Sequence, residues 1–294
     1  MSAGPGDRPG AGFGGRLAAA MEAHGPVCVG IDPHPALLSG WGLPDTADGL
    51  RRFGLAVVDA LAGAAAAVKP QSAFFERHGS AGVAALEEVL AAARDQGVLT
   101  VLDVKRGDIG STMQGYADAY LRDGAPLAAD AVTLSPYLGL GSLQPALDTA
   151  EATGRGVFVL ALTSNPEGRG VQHAVAPGGR AVAAEVAAGA ARANSAAVQR
   201  GEPMGPVGLV VGATVGSAVA DLGVDLAGLG GPVLAPGVGA QGAGAAELRA
   251  VFGGARGRVL ASTSRGVLGR GPRPEALRAA HARAVEEVVA ALRT

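Results

Sequence analysis

This α/β chain predicts a closed (β/α)8 barrel, and three observations carry that prediction. Apolar, β-rich runs alternate with segments of helical spacing, the alternation repeats eight times, and polar residues gather at the C-terminal ends of the runs. Strand-helix alternation implies a parallel sheet. Eight such units in 294 residues suit a closed barrel better than an open doubly wound sheet. An open sheet that binds dinucleotides would place GxGxxG after its first strand. Here the nearest glycine-rich turn, Gly237-Val238-Gly239-Ala240-Gln241-Gly242, follows the seventh.

Residues 1–12, rich in Gly and Pro, are expected to form a disordered or loosely packed leader, followed by one barrel domain over 13–294. A short helix over 16–24 precedes the first strand, 27–31, which the prolines of Asp32-Pro33-His34-Pro35 stop. A helix over 51–64 leads to the apolar run 65–68 and Lys69-Pro70. Helix 81–94, strand 98–105 and a helix over 111–121, begun by a Ser-Thr cap, follow. Next come strand 131–134, helix 143–152, strand 156–162, a loop over 166–177 and an alanine-rich helix over 179–199. Strand 207–212, a short helix near 217–222, strand 233–235, helix 247–252, strand 258–262 and helix 274–292 complete the chain.

Composition bounds the function. Apolar residues make up 48% and aromatics only 3%, so the core is built from Ala, Val and Leu. A net charge of −2 offers no basic face for nucleic acid. The one cysteine, Cys28, sits in an apolar run, which excludes a disulfide framework or a cysteine metal cluster. No signal-type segment is present, and no stretch reaches the ~20 apolar residues that span a bilayer. A cytoplasmic protein without a membrane partner is expected.

The stretch TVLDVKRGDIGST, 100–112, concentrates the chemistry. In a strand, alternation puts Asp103 and Lys105 on one face and Leu102 and Val104 on the other. Of 24 basic residues only Lys69 and Lys105 are lysines. A chain that otherwise uses arginine has kept a group able to release a proton at two places. An ordinary ion pair is the plain alternative. The strand ends together supply Asp32, Lys69, Asp103, Lys105, Ser135, Thr163, Ser164, Asn165, Gln241 and Arg265 to one mouth. No histidine pair has metal spacing and no carboxylate cluster is free of lysine, so no metal is demanded. The PGVGAQGAG turn and Arg265 in STSRG read as a phosphate clamp, or otherwise as a tight turn.

The run Asp103-Val104-Lys105-Arg106-Gly107-Asp108-Ile109-Gly110-Ser111-Thr112 resembles the D-x-K-x-x-D-I-G-x-T signature of the orotidine 5′-phosphate decarboxylase family. GIDPHP, VKPQSAFFE, LTSNPEG, PGVGAQG and STSRG resemble its longer bacterial branch, from about Val27 to Arg270. The resemblance implies a homodimeric barrel that converts orotidine 5′-monophosphate to UMP and CO2 without metal or organic cofactor. It assigns Lys105 to protonation of C6 and Asp103 to the place of the departing carboxylate. Asp108, with Thr112 beside it, would reach the neighbouring subunit's site. Lys69 and Asp32 would hold the ribose hydroxyls, Ser164 the pyrimidine, and Gln241 and Arg265 the phosphate. Val104 stands where a smaller residue is expected, away from the chemistry. The alternatives are a Mg²⁺-dependent sugar-phosphate enzyme of the same superfamily, which needs a further carboxylate such as Glu76, a Schiff-base aldolase, and a phosphate-binding barrel without catalysis.

Overall fold

The computed structural model describes residues 12–237 and 245–293. Eight parallel strands close into a barrel in chain order: β1 Val27–Ile31, β2 Ala67–Pro70, β3 Leu99–Arg106, β4 Ala131–Leu134, β5 Gly156–Leu162, β6 Val207–Val211, β7 Val233–Pro236 and β8 Val259–Thr263. The β8 edge pairs with β1, Cys28 standing opposite Ser262. No unpaired edge remains, and helices pack around the outside. This is the TIM-barrel architecture that the alternation predicts.

Strand periodicity sorts the core into two compartments. Val27, Val29, Val68, Leu102, Val132 and Val159 point outward and pack against helices such as Ala47–Leu61 and Gly79–Asp95. The first of these is capped by the Thr46 hydroxyl, which accepts from Gly49 N at 3.2 Å. Cys28, Ala67, Val101, Ala131, Phe158, Val210, Leu234 and Leu260 point inward and fill the barrel. Two residues further along four of these strands stand Lys69, Asp103, Thr133 and Ser262, all buried. The same inward phase that builds an apolar floor thus delivers polar groups to the mouth.

The bottom is sealed by helix Phe13–His24, longer at its start than the sequence predicts. Its buried Phe13, Leu17 and Met21 join the inner core. Phe13 meets Phe158 edge to face at 5.9 Å between centroids. A Cβ at Gly156 would lie 2.1 Å from Phe13, so only glycine admits the plug at that point. Arg16 ties the helix to Asp130, whose other oxygen accepts from Thr100 N at 2.9 Å.

Three local expectations are corrected. The helix after β3 runs Gly110–Tyr120 with Ile109 at its cap and no side-chain cap bond, so Ser111 and Thr112 lie inside its first turn. The alanine-rich segment is two helices, Val182–Ala193 and Ser195–Gln199, broken at Asn194. Asn194 is fully buried, donates to Val207 O at 2.7 Å and Leu229 O at 2.9 Å, and accepts from Val207 N at 3.0 Å. Satisfying those backbone groups outweighs continuing the helix. The 166–177 segment carries short helical turns, Pro166–Gly168 and Arg169–Gln172, rather than plain loop. Of the leader expected over 1–12, residues 1–11 lie outside the described residues, and Gly12 is the cap residue of the first helix.

Helix Pro274–Arg293 carries His281, 3% exposed, with no hydrogen-bond partner at Nε2. Burial, with His24 nearby, lowers its pKa to about 4. An unfolded histidine titrates near 6.5. Between these values the unfolded chain holds a proton that the folded chain lacks, so stability falls as pH drops from about 6.5 toward 4. Urea unfolding of wild type and His281→Gln is expected to show the variant's pH slope shallower by up to one proton in this window. At pH 5 the histidine's contribution amounts to about 2 kcal/mol. Parallel slopes would contradict this.

Candidate active site

The mouth of the barrel holds a cleft of about 590 Å³ lined by Asp32, Lys69, Asp103, Lys105, Ser164 and Arg265, among others. Its centre is Asp103, 6% exposed near the end of β3. A buried carboxylate is costly unless its lone pairs are met by donors, and four donors meet these. Lys69 Nζ and Gln71 Nε2 donate to Oδ2, each at 2.9 Å. Lys105 Nζ at 2.6 Å and the Thr133 hydroxyl at 2.7 Å donate to Oδ1. Burial favours the neutral acid, but the two lysine charges outweigh it and hold Asp103 well below the usual carboxylate range.

The two lysines differ in setting. Lys69, 7% exposed on β2, is opposed by its burial, yet Asp103 and Asp32 more than compensate and raise its pKa. The Lys105 side chain is 46% exposed and reaches over the cleft from a strained backbone. Its φ of 46° is the only positive value among the described non-glycine residues. The pairing of β3 with β4 shifts register between Leu102 and Arg106, which accommodates that turn.

Around this array, Asp32 stands just past β1 with Oδ1 buried and unpartnered, and Ser264, just past β8, has its hydroxyl in the same condition. Arg265, exposed, opens the short helix Arg265–Leu268 at the rim. Burial and the Asp32 and Asp103 charges, only partly offset by Lys69, push the Cys28 thiol beneath them up to about 12, which leaves it an inert core residue.

Other sequence-predicted residues fall elsewhere. Asp108 accepts from Ile109 N at 2.8 Å, and Thr112 is exposed on helix Gly110–Tyr120; neither lines this cleft. Gln241 lies outside the described residues; of the glycine-rich turn, Pro236 and Gly237 line the cleft. Ser135 does not line it either, its amide donating to Arg106 O at 2.7 Å. Thr133 takes that position on β4, and Gln71 joins Asp103 from beyond β2; sequence reasoning missed both. Thr163 and Asn165 line the cleft but are bonded to each other at 2.7 Å. Glu76 is bound by Arg106 and Ser72 and stays out of the cleft.

A barrel that sets a buried aspartate between two lysines, with an arginine at its rim, has the makings of an acid-base enzyme for a small anionic substrate. Residues 25–280 match the model of the orotidine 5′-phosphate decarboxylase / HUMPS family, and the chain belongs to that family. It is 57% identical to orotidine 5′-phosphate decarboxylase of Salinispora arenicola over 95% of this chain and 98% of that protein. With the enzyme of Streptomyces coelicolor the identity is 54%, covering 94% and 96%. A crystal structure from Streptomyces avermitilis, provisionally given the same name, superposes with a TM-score of 0.91 at 53% identity and covers both chains fully. The Leishmania donovani OMP decarboxylase structure gives 0.72 at 33% identity, covering 96% of this chain and all of that one.

Proposed function

We infer that the chain decarboxylates orotidine 5′-monophosphate to UMP and CO2, the step that completes pyrimidine nucleotide synthesis. The observation that carries the mechanism is Asp103 held between two lysines at the mouth of the barrel. Breaking the bond between C6 and its carboxylate leaves the electron pair on C6, in the ring plane and outside the π system. The Lys105 ammonium stabilises that charge more than it stabilises the substrate, then gives C6 its proton and regains one from solvent. No electrons are gained or lost overall, so the balance asks for no redox cofactor. Asp103, ionised, lies where the substrate carboxylate would press against it, and that repulsion ends as CO2 departs. Lys69 and Asp32 hold the ribose hydroxyls and Ser164 the pyrimidine. Arg265, with Gln241, grips the phosphate, whose binding energy offsets the strain at the reacting carbon.

The Mg²⁺-dependent alternative is disfavoured by Glu76, the carboxylate it would recruit, which Arg106 and Ser72 occupy. Among the described residues no three potential ligands cluster for a metal, and no helix is long and apolar enough to cross a membrane.

The site is completed by a second copy of the chain. Ile109, Tyr137 and Leu138, 62%, 78% and 53% exposed, are large apolar side chains on the segments after β3 and β4, and Ile109 follows Asp108 directly. Association through these segments would carry Asp108 and Thr112 toward the partner's cleft. Asp108→Ala and Lys105→Ala, each inactive alone, are expected to recover about a quarter of wild-type activity after equal mixing and exchange, since half the dimers are hybrids with one intact site. Exchanged but inactive mixtures would exclude a shared site. The reaction itself is tested by the loss of orotidine 5′-monophosphate absorbance with purified protein in EDTA. Turnover is expected, and folded wild-type protein without it would refute the assignment.

A further inference from the structure

We propose that Thr133 is a positioning residue that fixes both ends of Lys105, the group that meets the reacting carbon; this rests on the decarboxylase reading above. Thr133 is 1% exposed and contributes one hydroxyl to the mouth. That hydroxyl accepts from the Lys105 backbone N–H at 3.0 Å and donates to Asp103 Oδ1 at 2.7 Å. The direction is forced. An amide N–H can only donate, and a carboxylate held ionised can only accept, so the single hydroxyl proton must point at Asp103. The same Oδ1 accepts from Lys105 Nζ at 2.6 Å. A closed ring results: Lys105 amide to Thr133 hydroxyl, hydroxyl to carboxylate, ammonium back to the same carboxylate oxygen.

The ring matters because of where Lys105 sits. Its φ of 46° is a conformation that side chains other than glycine rarely hold, and it persists only when neighbours over-determine it. Its side chain is 46% exposed, so packing alone does not set its direction. Without the hydroxyl the amide loses its acceptor, Oδ1 loses one of its two donors, and the half-exposed ammonium is held by its bond to that oxygen alone. Phosphate and ribose contacts are assigned to Arg265 and Asp32, beyond the ends of other strands, and to Lys69, which keeps its own bond to Asp103 Oδ2, so ground-state binding is left alone while proton delivery suffers.

The test compares wild type, Thr133→Val, which keeps the shape and removes the hydroxyl, and Thr133→Ser, which keeps the hydroxyl. For Thr133→Val, kcat is expected to fall about 100-fold, as for a misplaced catalytic group. KM for orotidine 5′-monophosphate and UMP affinity are expected to stay within about twofold. Thr133→Ser should return kcat to within about threefold of wild type. A Thr133→Val enzyme with kcat within about threefold of wild type, or a serine variant as slow as the valine one, would overturn the proposal. Should Thr133→Val not fold, Thr133→Ala carries the same expectation.

A second readout does not depend on turnover. The chain contains two lysines, so ¹⁵N-lysine labelling gives two side-chain ammonium signals. Removing the hydroxyl should shift or broaden the Lys105 signal and leave Lys69 in place, whereas two unmoved signals would overturn the proposal. Failure of wild-type turnover with a moved Lys105 signal would instead discard the reaction and keep the positioning role.

Discussion

Lys105→Ala is expected to lower kcat for orotidine 5′-monophosphate by about 10⁴-fold or more while UMP still binds. General-acid transfer alone contributes about 10²–10⁴-fold, and the same ammonium also offsets the carbanion's charge as it develops. Ground-state affinity is expected to survive because Asp32, Ser164 and Arg265 reach the cleft from beyond the ends of other strands. The fold should survive as well: the side chain is 46% exposed, and Asp103 keeps Lys69, Gln71 and Thr133 as donors. Single-turnover absorbance and calorimetric UMP titration measure the two quantities. A variant that loses UMP affinity in proportion to kcat would move Lys105 from proton delivery to simple binding.

Asp103→Ala is expected to be the costliest single change to stability, about 3–5 kcal/mol by urea unfolding. It strands the Lys69 charge, 7% exposed, with only Asp32 to oppose it, and removing one partner of a buried pair costs about that much. Adding Lys69→Met should recover a large share of the loss, since the uncompensated charge goes with it. The pH dependence follows in sign. The folded carboxyl is depressed, so its contribution is fully present above the unfolded value near 4 and fades as pH falls further. A single variant within 1 kcal/mol of wild type would show that Asp103 does not hold the array together.

Much of this centre was legible because strand alternation and lysine scarcity are properties of the sequence itself. Asp103 and Lys105 share one face of a predicted strand and Lys69 follows the apolar run 65–68, and the structure brings both lysines within bonding distance of Asp103. Thr133 was missed because Ser135 looked like the end of the fourth strand. Counting by twos from inward Ala131 would have reached Thr133 instead. Gln71 gave no comparable signal, since it lies past Pro70 and meets Asp103 through an isolated bridge. The break at Asn194 was hidden by alanine propensity: the demand for it comes from Val207 and Leu229, distant in the chain. The cap before Gly110 misled for the opposite reason, a local signal in Ser111 and Thr112 that the backbone does not use.

The packed inner layer of the barrel, closed below by Phe13 against Phe158, makes the mouth a blind-ended cup. Reactant and both products therefore share one doorway. In the proposed binding mode the gas forms at the inner end of the nucleotide, while the phosphate lies at the rim beside Arg265. A small uncharged molecule can slip past a nucleotide still held there, whereas UMP fills the opening on its own way out. On that binding mode a single doorway favours one order of departure: carbon dioxide first, nucleotide second.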